Sequence, residues 1–222
     1  MKAALRPGLA LLGFACLLLG GCAATTISMS LDELRSIRID RVDIVYTDNA
    51  QIFWEKEETA YVEKVKAEQA ATEPKKPWKQ VLDEDEKRAE GEFQRIINTP
   101  EAQQHLRDLL QARIQERVGK SIFPLFQGTR PVVIEVSIRL FTIPGPVQRV
   151  VLGGSPVLDA TTRLKDAQTG EELAKLERTT ASYAGNGWLG VLVDQAFDDL
   201  DDRVLDRYIS DLKGWLNTNR DA

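Results

Sequence analysis

The order of apolar and polar residues predicts a sequence of distinct elements along this chain. From Ser36 to Thr47 β-branched residues dominate. Ile37 and Ile39 share one side of an extended strand, and Val42, Ile44 and Tyr46 share the other. That change of parity predicts either a bulge near Asp40 and Arg41 or partial burial of both sides. Pro131 to Ile143 alternates more strictly: Val132, Ile134, Val136, Ile138 and Leu140 against Val133, Glu135, Ser137, Arg139 and Phe141. Pro156 to Lys165 and Glu172 to Ala184 predict two more strands, joined by a hairpin turn over Asp166 to Gly170.

Between the first two strands the period becomes helical. Gln51 to Ala71 is charged, with Trp54, Tyr61, Val62 and Val65 on a stripe. Pro74 and Pro77 interrupt it, and a second helix is expected from Lys79 to Asn98, with Leu82, Ala89, Phe93, Ile96 and Ile97 in phase. Thr99 and Pro100 mark a helix start. The helix they open carries Leu106, Leu109, Leu110, Ile114 and Val118, and Gly119 is expected as its C-cap. Ile122 to Phe126 reads as a short apolar linker, and Val147 to Gly154 as either a short helix or an edge segment. Past a glycine-containing junction at 184–187, a last amphipathic helix is expected from Leu189 to Leu216, on Val193, Phe197, Leu200, Val204, Tyr208, Leu212 and Leu216. The order predicts an α+β fold: a mixed or antiparallel sheet of about four strands packed against helices, with a long C-terminal helix. Residues 51–98 form a helical arm inserted after the first strand, and 36–222 form a single domain.

The N-terminus follows another pattern. Lys2 and Arg6 precede an apolar run from Gly8 to Leu19, too short for a membrane span, which needs roughly 20 residues. Basic residues, a short apolar core and small residues at its end have the form of an export signal. The run ends in Leu19-Gly20-Gly21-Cys22. This resembles the lipobox of bacterial lipoproteins. The resemblance implies a signal peptide over 1–21, a diacylglycerol on the Cys22 thiol, acylation of the new amine, and an outer-membrane destination, since Ala23 rather than Asp follows the cysteine. The alternative is a plain secretory signal cut elsewhere, with Cys22 a free thiol. Residues 22–35 read as a lipidated tether. Ala23 to Arg35 could reach roughly 40 Å when extended, and Ser30 to Glu33 has capping-box spacing for one helical turn.

Composition narrows the function. Loss of Lys2 and Arg6 with the signal takes the net charge from −5 to −7. A mildly acidic chain is a poor partner for nucleic acid or for polybasic docking to anionic lipid. The two cysteines are Cys16 and Cys22, so none is left for a disulfide once one is cleaved away and the other acylated. His105 is the single histidine, which excludes a multi-histidine zinc site; on its helix it reads as a packing or surface residue rather than a base. The carboxylates Asp198, Asp199, Asp201 and Asp202 lack EF-hand spacing and splay apart on a helix, so a solvated face is expected rather than a metal site. Gly153-Gly154-Ser155 is no nucleophile elbow, and Gly185-Asn186-Gly187 matches no phosphate-binding loop. Trp188 beside it is either a protein contact or a residue packed under the last helix.

The order of elements after residue 36 is loosely similar to the periplasmic domains of small α+β outer-membrane lipoproteins, such as those of curli secretion and of Pel polysaccharide export. No diagnostic motif of the mature domain carries that resemblance, and the arm over 51–98 departs from it. It implies a lipid-anchored, periplasm-facing accessory protein: a non-enzymatic binding or assembly component of a cell-envelope complex. Such a protein has the membrane as one partner through Cys22 and an envelope protein as another, with no cofactor. The alternative is a carrier or sensor of a small apolar or anionic ligand; a hydrolase is the least supported reading.

Overall fold

The computed structural model describes residues 25–27, 29–72, 85–145, 148, 155–181 and 199–221. In chain order these form β1 (Thr25–Ile27), α1 (Leu31–Arg35), β2 (Ile37–Trp54), α2 (Glu55–Thr72), α3 (Asp85–Ile97), α4 (Pro100–Ser121), a 3-10 turn (Phe123–Leu125), β3 (Arg130–Ile143), β4 (Val157–Asp166), β5 (Glu172–Ala181) and α5 (Leu200–Asp221). The fold is α+β. One five-stranded sheet has the order β1-β5-β4-β3-β2. It is mixed: β2 and β3 run parallel, and every other neighbouring pair is antiparallel. A parallel pair needs a long crossover, and α2, α3 and α4 supply it.

Two irregularities decide which residues enter the core. The register of β2 against β3 slips between Ile39 and Arg41, so Asp40 is the extra residue. The bulge lets Ile39 and Val42, expected on opposite sides, both reach the core, at 5% and 6% exposure. A second slip sets residues 47–50 of β2 opposite Arg139 alone, and β4 has no counterpart to Arg139. Beyond it the parity of β3 reverses. Phe141, grouped by alternation with Glu135 and Arg139, is fully buried, and its ring meets Trp54 edge-on at 5.1 Å. Leu140 takes the outer position. The first strand is also longer than expected, since 51–54 extend β2 rather than opening the arm.

The inner face of the sheet packs on α4 and α5. Ala102, Leu106, Leu110, Ile114 and Val118, each four residues from the next, form the buried stripe of α4. Thr99 caps its start, the Thr99 hydroxyl accepting from Ala102 N–H at 3.2 Å. Gly119 does not end the helix. It lies inside the last turn, and Ile122 is the C-cap, its N–H donating to Val118 O at 2.9 Å. Ile122 is fully buried, so the chain holds its helical course until that side chain is seated, and Pro124 then prevents continuation. On α5, Leu200, Val204, Leu205, Tyr208, Ile209, Leu212 and Leu216 face the same core. The Tyr208 hydroxyl and the Thr162 hydroxyl of β4 share a buried hydrogen bond of 2.5 Å. Burial pushes the Tyr208 phenol well above its ordinary range.

The outer face carries ion pairs instead. Arg163 bonds Glu135 and Ser137, and Arg139 pairs with Asp159 and donates to the Thr161 hydroxyl. Lys165 joins Glu135 from the next position. The hairpin between β4 and β5 turns where expected. Asp166 Oδ1 accepts from the N–H groups of Gln168 and Thr169, and Gly170 sits at φ +75°. Those backbone donors, with Arg130 behind them, hold the Asp166 carboxyl below its usual range.

Residues 22–35 are not wholly a free tether. Thr25, Thr26 and Ile27 pair antiparallel with Leu176, Lys175 and Ala174, covering part of the edge that β5 would otherwise leave open. The capping box at Ser30 and Glu33 is present, and the short helix α1 it opens buries Leu34. Gly128 makes the entry to β3 possible. A Cβ there would fall about 2 Å from the carbonyl oxygen of Ser36, so the two backbones meet only because the side chain is absent.

Candidate functional site

Cys22 lies outside the described residues, as do Gly153, Gly154, Gly185, Gly187, Trp188 and Asp198. Among the described residues no group of three or more His, Cys, Asp or Glu side chains converges as metal ligands would. No described helix is long and apolar enough to cross a membrane. His105 is half-buried on α4, with its ring 5.0 Å from that of Tyr61 on α2. It serves the packing of the arm against α4.

The carboxylate run departs from the expected solvated face. Asp201 is 4% exposed, and its carboxylate pairs with Arg113 of α4. Arg113 also reaches Glu57 of α2 at 3.2 Å, and its guanidinium lies 4.8 Å over the Trp54 ring. One turn along α4, Arg117 pairs with Asp202 and, at 2.9 Å, with Asp206. Asp201 and Asp202, with Asp206, form the acidic half of a seam between α4 and α5. The signal was present in the spacing: Arg113 and Arg117 stand four apart, as do Asp202 and Asp206, so each pair lies on one helix face. What the spacing lacked was any indication that the two helices meet.

An open cleft lies near the same start of the arm. A cleft of about 770 Å³ runs between the last residues of β2, the adjoining end of β3, and α2 and α3. Its apolar surface comes from Ile52, Phe53, Phe93, Ile97, Leu140 and Ile143. Glu55, Glu58 and Glu90 supply carboxylates, and amide groups come from Gln51, Gln94, Asn98, Gln103 and Gln148. Phe53 is 52% exposed, unusual for so large an apolar side chain. Two glutamates are fixed by backbone donors. Glu58 Oε1 accepts from Trp54 N–H at 3.0 Å, and Glu55 Oε2 accepts from Gly145 N–H at 2.8 Å. Burial raises the Glu58 carboxyl above its ordinary value; the Trp54 N–H opposes that shift and the nearby Glu55 adds to it. Sequence reading missed this site, because residues 51–54 carried no mark of strand and Glu55 and Glu58 looked like ordinary solvated helix residues.

No protein-family profile and no curated protein matches this chain. Among solved structures, it is similar to a point variant of a PelC dodecamer from Paraburkholderia phytofirmans at 10% identity and a TM-score of 0.37, over 86% of this chain and 94% of that one. A second PelC dodecamer from the same organism gives 16% identity and 0.32, over 86% and 95%. Likeness at this level carries no argument about function.

Proposed function

We propose that the chain is a lipid-anchored, periplasm-facing accessory protein of the outer membrane, acting without catalysis as a binding or assembly component of a cell-envelope complex. The observation that carries this reading is the order of the sheet. β1, the first strand after Cys22, occupies one edge, and β2 occupies the other. Only three peptide units separate Cys22 from Thr25, a reach of roughly 10 Å. A diacylated Cys22 therefore holds the β1 edge close to the bilayer. The β2 edge stands four strand spacings away, roughly 19 Å across the sheet. Beyond the single bridge of Arg38 to Gln127, β2 is paired among the described residues with β3 alone, and it presents Val45 at 39% and Phe53 at 52% exposure. Its bulges and its Arg38–Asp40 and Arg41–Asp43 pairs guard that edge against indiscriminate strand addition. A guarded edge with a few exposed apolar residues suits a selective protein contact.

A photo-crosslinking residue placed at Val45 tests this in intact envelopes. A reproducible adduct with one envelope protein is expected. Recovery of the uncrosslinked chain alone would overturn the assembly reading. The cleft supports a second reading, a carrier of a small ligand with apolar character. Its three glutamates oppose the anionic form of that ligand.

A further inference from the structure

Among the described residues the charges lining the cleft are all of one sign. Glu55, Glu58 and Glu90 face it, and no described lysine, arginine or histidine is among its lining residues. Its volume of about 770 Å³ exceeds what a bare ion needs and lies in the range of small-molecule sites. Phe53, Phe93 and Leu140 give it an apolar wall, and two of those three are aromatic. Glu55 and Glu58 each hold a backbone N–H through one oxygen, which fixes the carboxylate in place. A carboxylate has two acceptor oxygens, so each retains a second for another donor.

Three kinds of occupant can be compared. An anion would meet three carboxylates with no countercharge among the described residues. A neutral apolar molecule would bury Glu58 further without compensation, which is costly for an ionised group. A cation offsets that cost, and aromatic faces add attraction for it. We infer that the cleft is a binding site for an organic cation with an apolar body, an alkyl- or arylammonium. The apolar body lies against Phe53, Phe93 and Leu140, and the ammonium lies between Glu55, Glu58 and Glu90. The site is independent of the lipid anchor and of the β2 contact at Val45.

Three probes that share a benzyl group and differ in charge test it on the full mature chain: benzyltrimethylammonium, phenylmethanesulfonate and benzyl alcohol. Titration followed by backbone amide resonances should show the ammonium binding about tenfold more tightly than either of the others, as a charge-selective aromatic site requires. The shifted resonances should include Phe93 and Leu140. Glu58→Gln keeps the acceptor for Trp54 N–H while removing the charge, and it should weaken the ammonium severalfold and leave benzyl alcohol unchanged. Glu90→Gln, on an exposed side chain that holds no part of the fold, should act in the same direction. Equal binding of all three probes, shifts confined to another surface, absence of binding, or Glu90→Gln and a folded Glu58→Gln that both bind the ammonium like the parent would each overturn the assignment.

Discussion

Arg113 stacks over Trp54, its guanidinium carbon 4.8 Å from the ring centroid, while its nitrogens pair with Asp201 and Glu57. One side chain thus joins the end of β2, the arm helix α2, and the two core helices α4 and α5. Removing one partner of a buried pair leaves the other charge uncompensated, at about 3–5 kcal/mol. Arg113→Ala is expected to cost somewhat less than this in denaturant unfolding, since Arg113 is itself 31% exposed while Asp201 is left buried. Replacing both members, Arg113→Met with Asp201→Leu, should recover part of the loss, Glu57 still lacking its Arg113 partner. A double variant no more stable than Arg113→Ala would contradict the pairing.

The Tyr208–Thr162 hydrogen bond is neutral and fully buried, so its two halves should show strong coupling. Tyr208→Phe leaves the Thr162 hydroxyl without a partner and is expected to cost about 1–3 kcal/mol. Thr162→Val should cost a similar amount. The double variant should cost much less than the sum of the two, since both polar atoms are then gone. Strict additivity in chemical denaturation would show that the two hydroxyls do not meet.

Glu58 gives a pH signature of known sign. Burial raises its folded-state value above that of the unfolded chain, with Glu55 adding to the effect. The folded state therefore binds more protons in the window from about 4.5, the unfolded value, up to the raised one, and this carboxyl's contribution to stability falls as pH rises through it. Glu58→Gln should melt higher than the parent at pH 7, with the difference shrinking as the pH is lowered through 4.5. Asp166 has the opposite sign, its lowered value favouring the fold at higher pH; comparing parent with variant cancels it. A difference in melting temperature that does not vary with pH would remove Glu58 from this role.

The strand β1 should be separable from the rest of the fold. A proline at Thr26 removes a backbone donor that a paired strand can use. Thr26→Pro is expected to release residues 25–27 from β5 with little change in the melting temperature of the domain. Hydrogen exchange should speed up at those amides of residues 174–176 that face β1, which alternate along β5 with the ones held by β4, while exchange in α4 stays unchanged. If protection of the amides facing β1 persists, β1 is not what covers β5.

Much of the architecture could be read from the chain because local chemistry was sufficient. The capping box at Ser30, the Thr99–Pro100 helix start, the Asp166–Gly170 turn and the bulge near Asp40 each follow from a few adjacent residues. The parts that escaped depend on contacts distant in sequence. Phe141 looked like a member of the polar face because alternation cannot show that Arg139 breaks the register. Asp201 looked solvated because nothing beside it reveals that Arg113, far back in the chain, lies opposite. Gly119 looked like a helix end because the burial of Ile122 is a tertiary fact. The cleft was invisible for the same reason: Phe53 and Glu58 come together with Phe93 and Leu140 only after the crossover has folded.

The central claim is that a lipid on Cys22 holds the β1 edge at the bilayer and turns the β2 edge away from it. Once Cys16 is cleaved off and Cys22 acylated, the sequence holds no other cysteine, so an introduced one is a unique labelling site. Fluorophores at Lys175→Cys, beside β1, and at Val45→Cys, on β2, can be compared in liposomes carrying headgroup spin labels. Strong quenching at position 175 and little at position 45 is the result this account requires. Equal quenching at both, or a mature N-terminus whose Cys22 mass spectrometry shows unmodified, would contradict it.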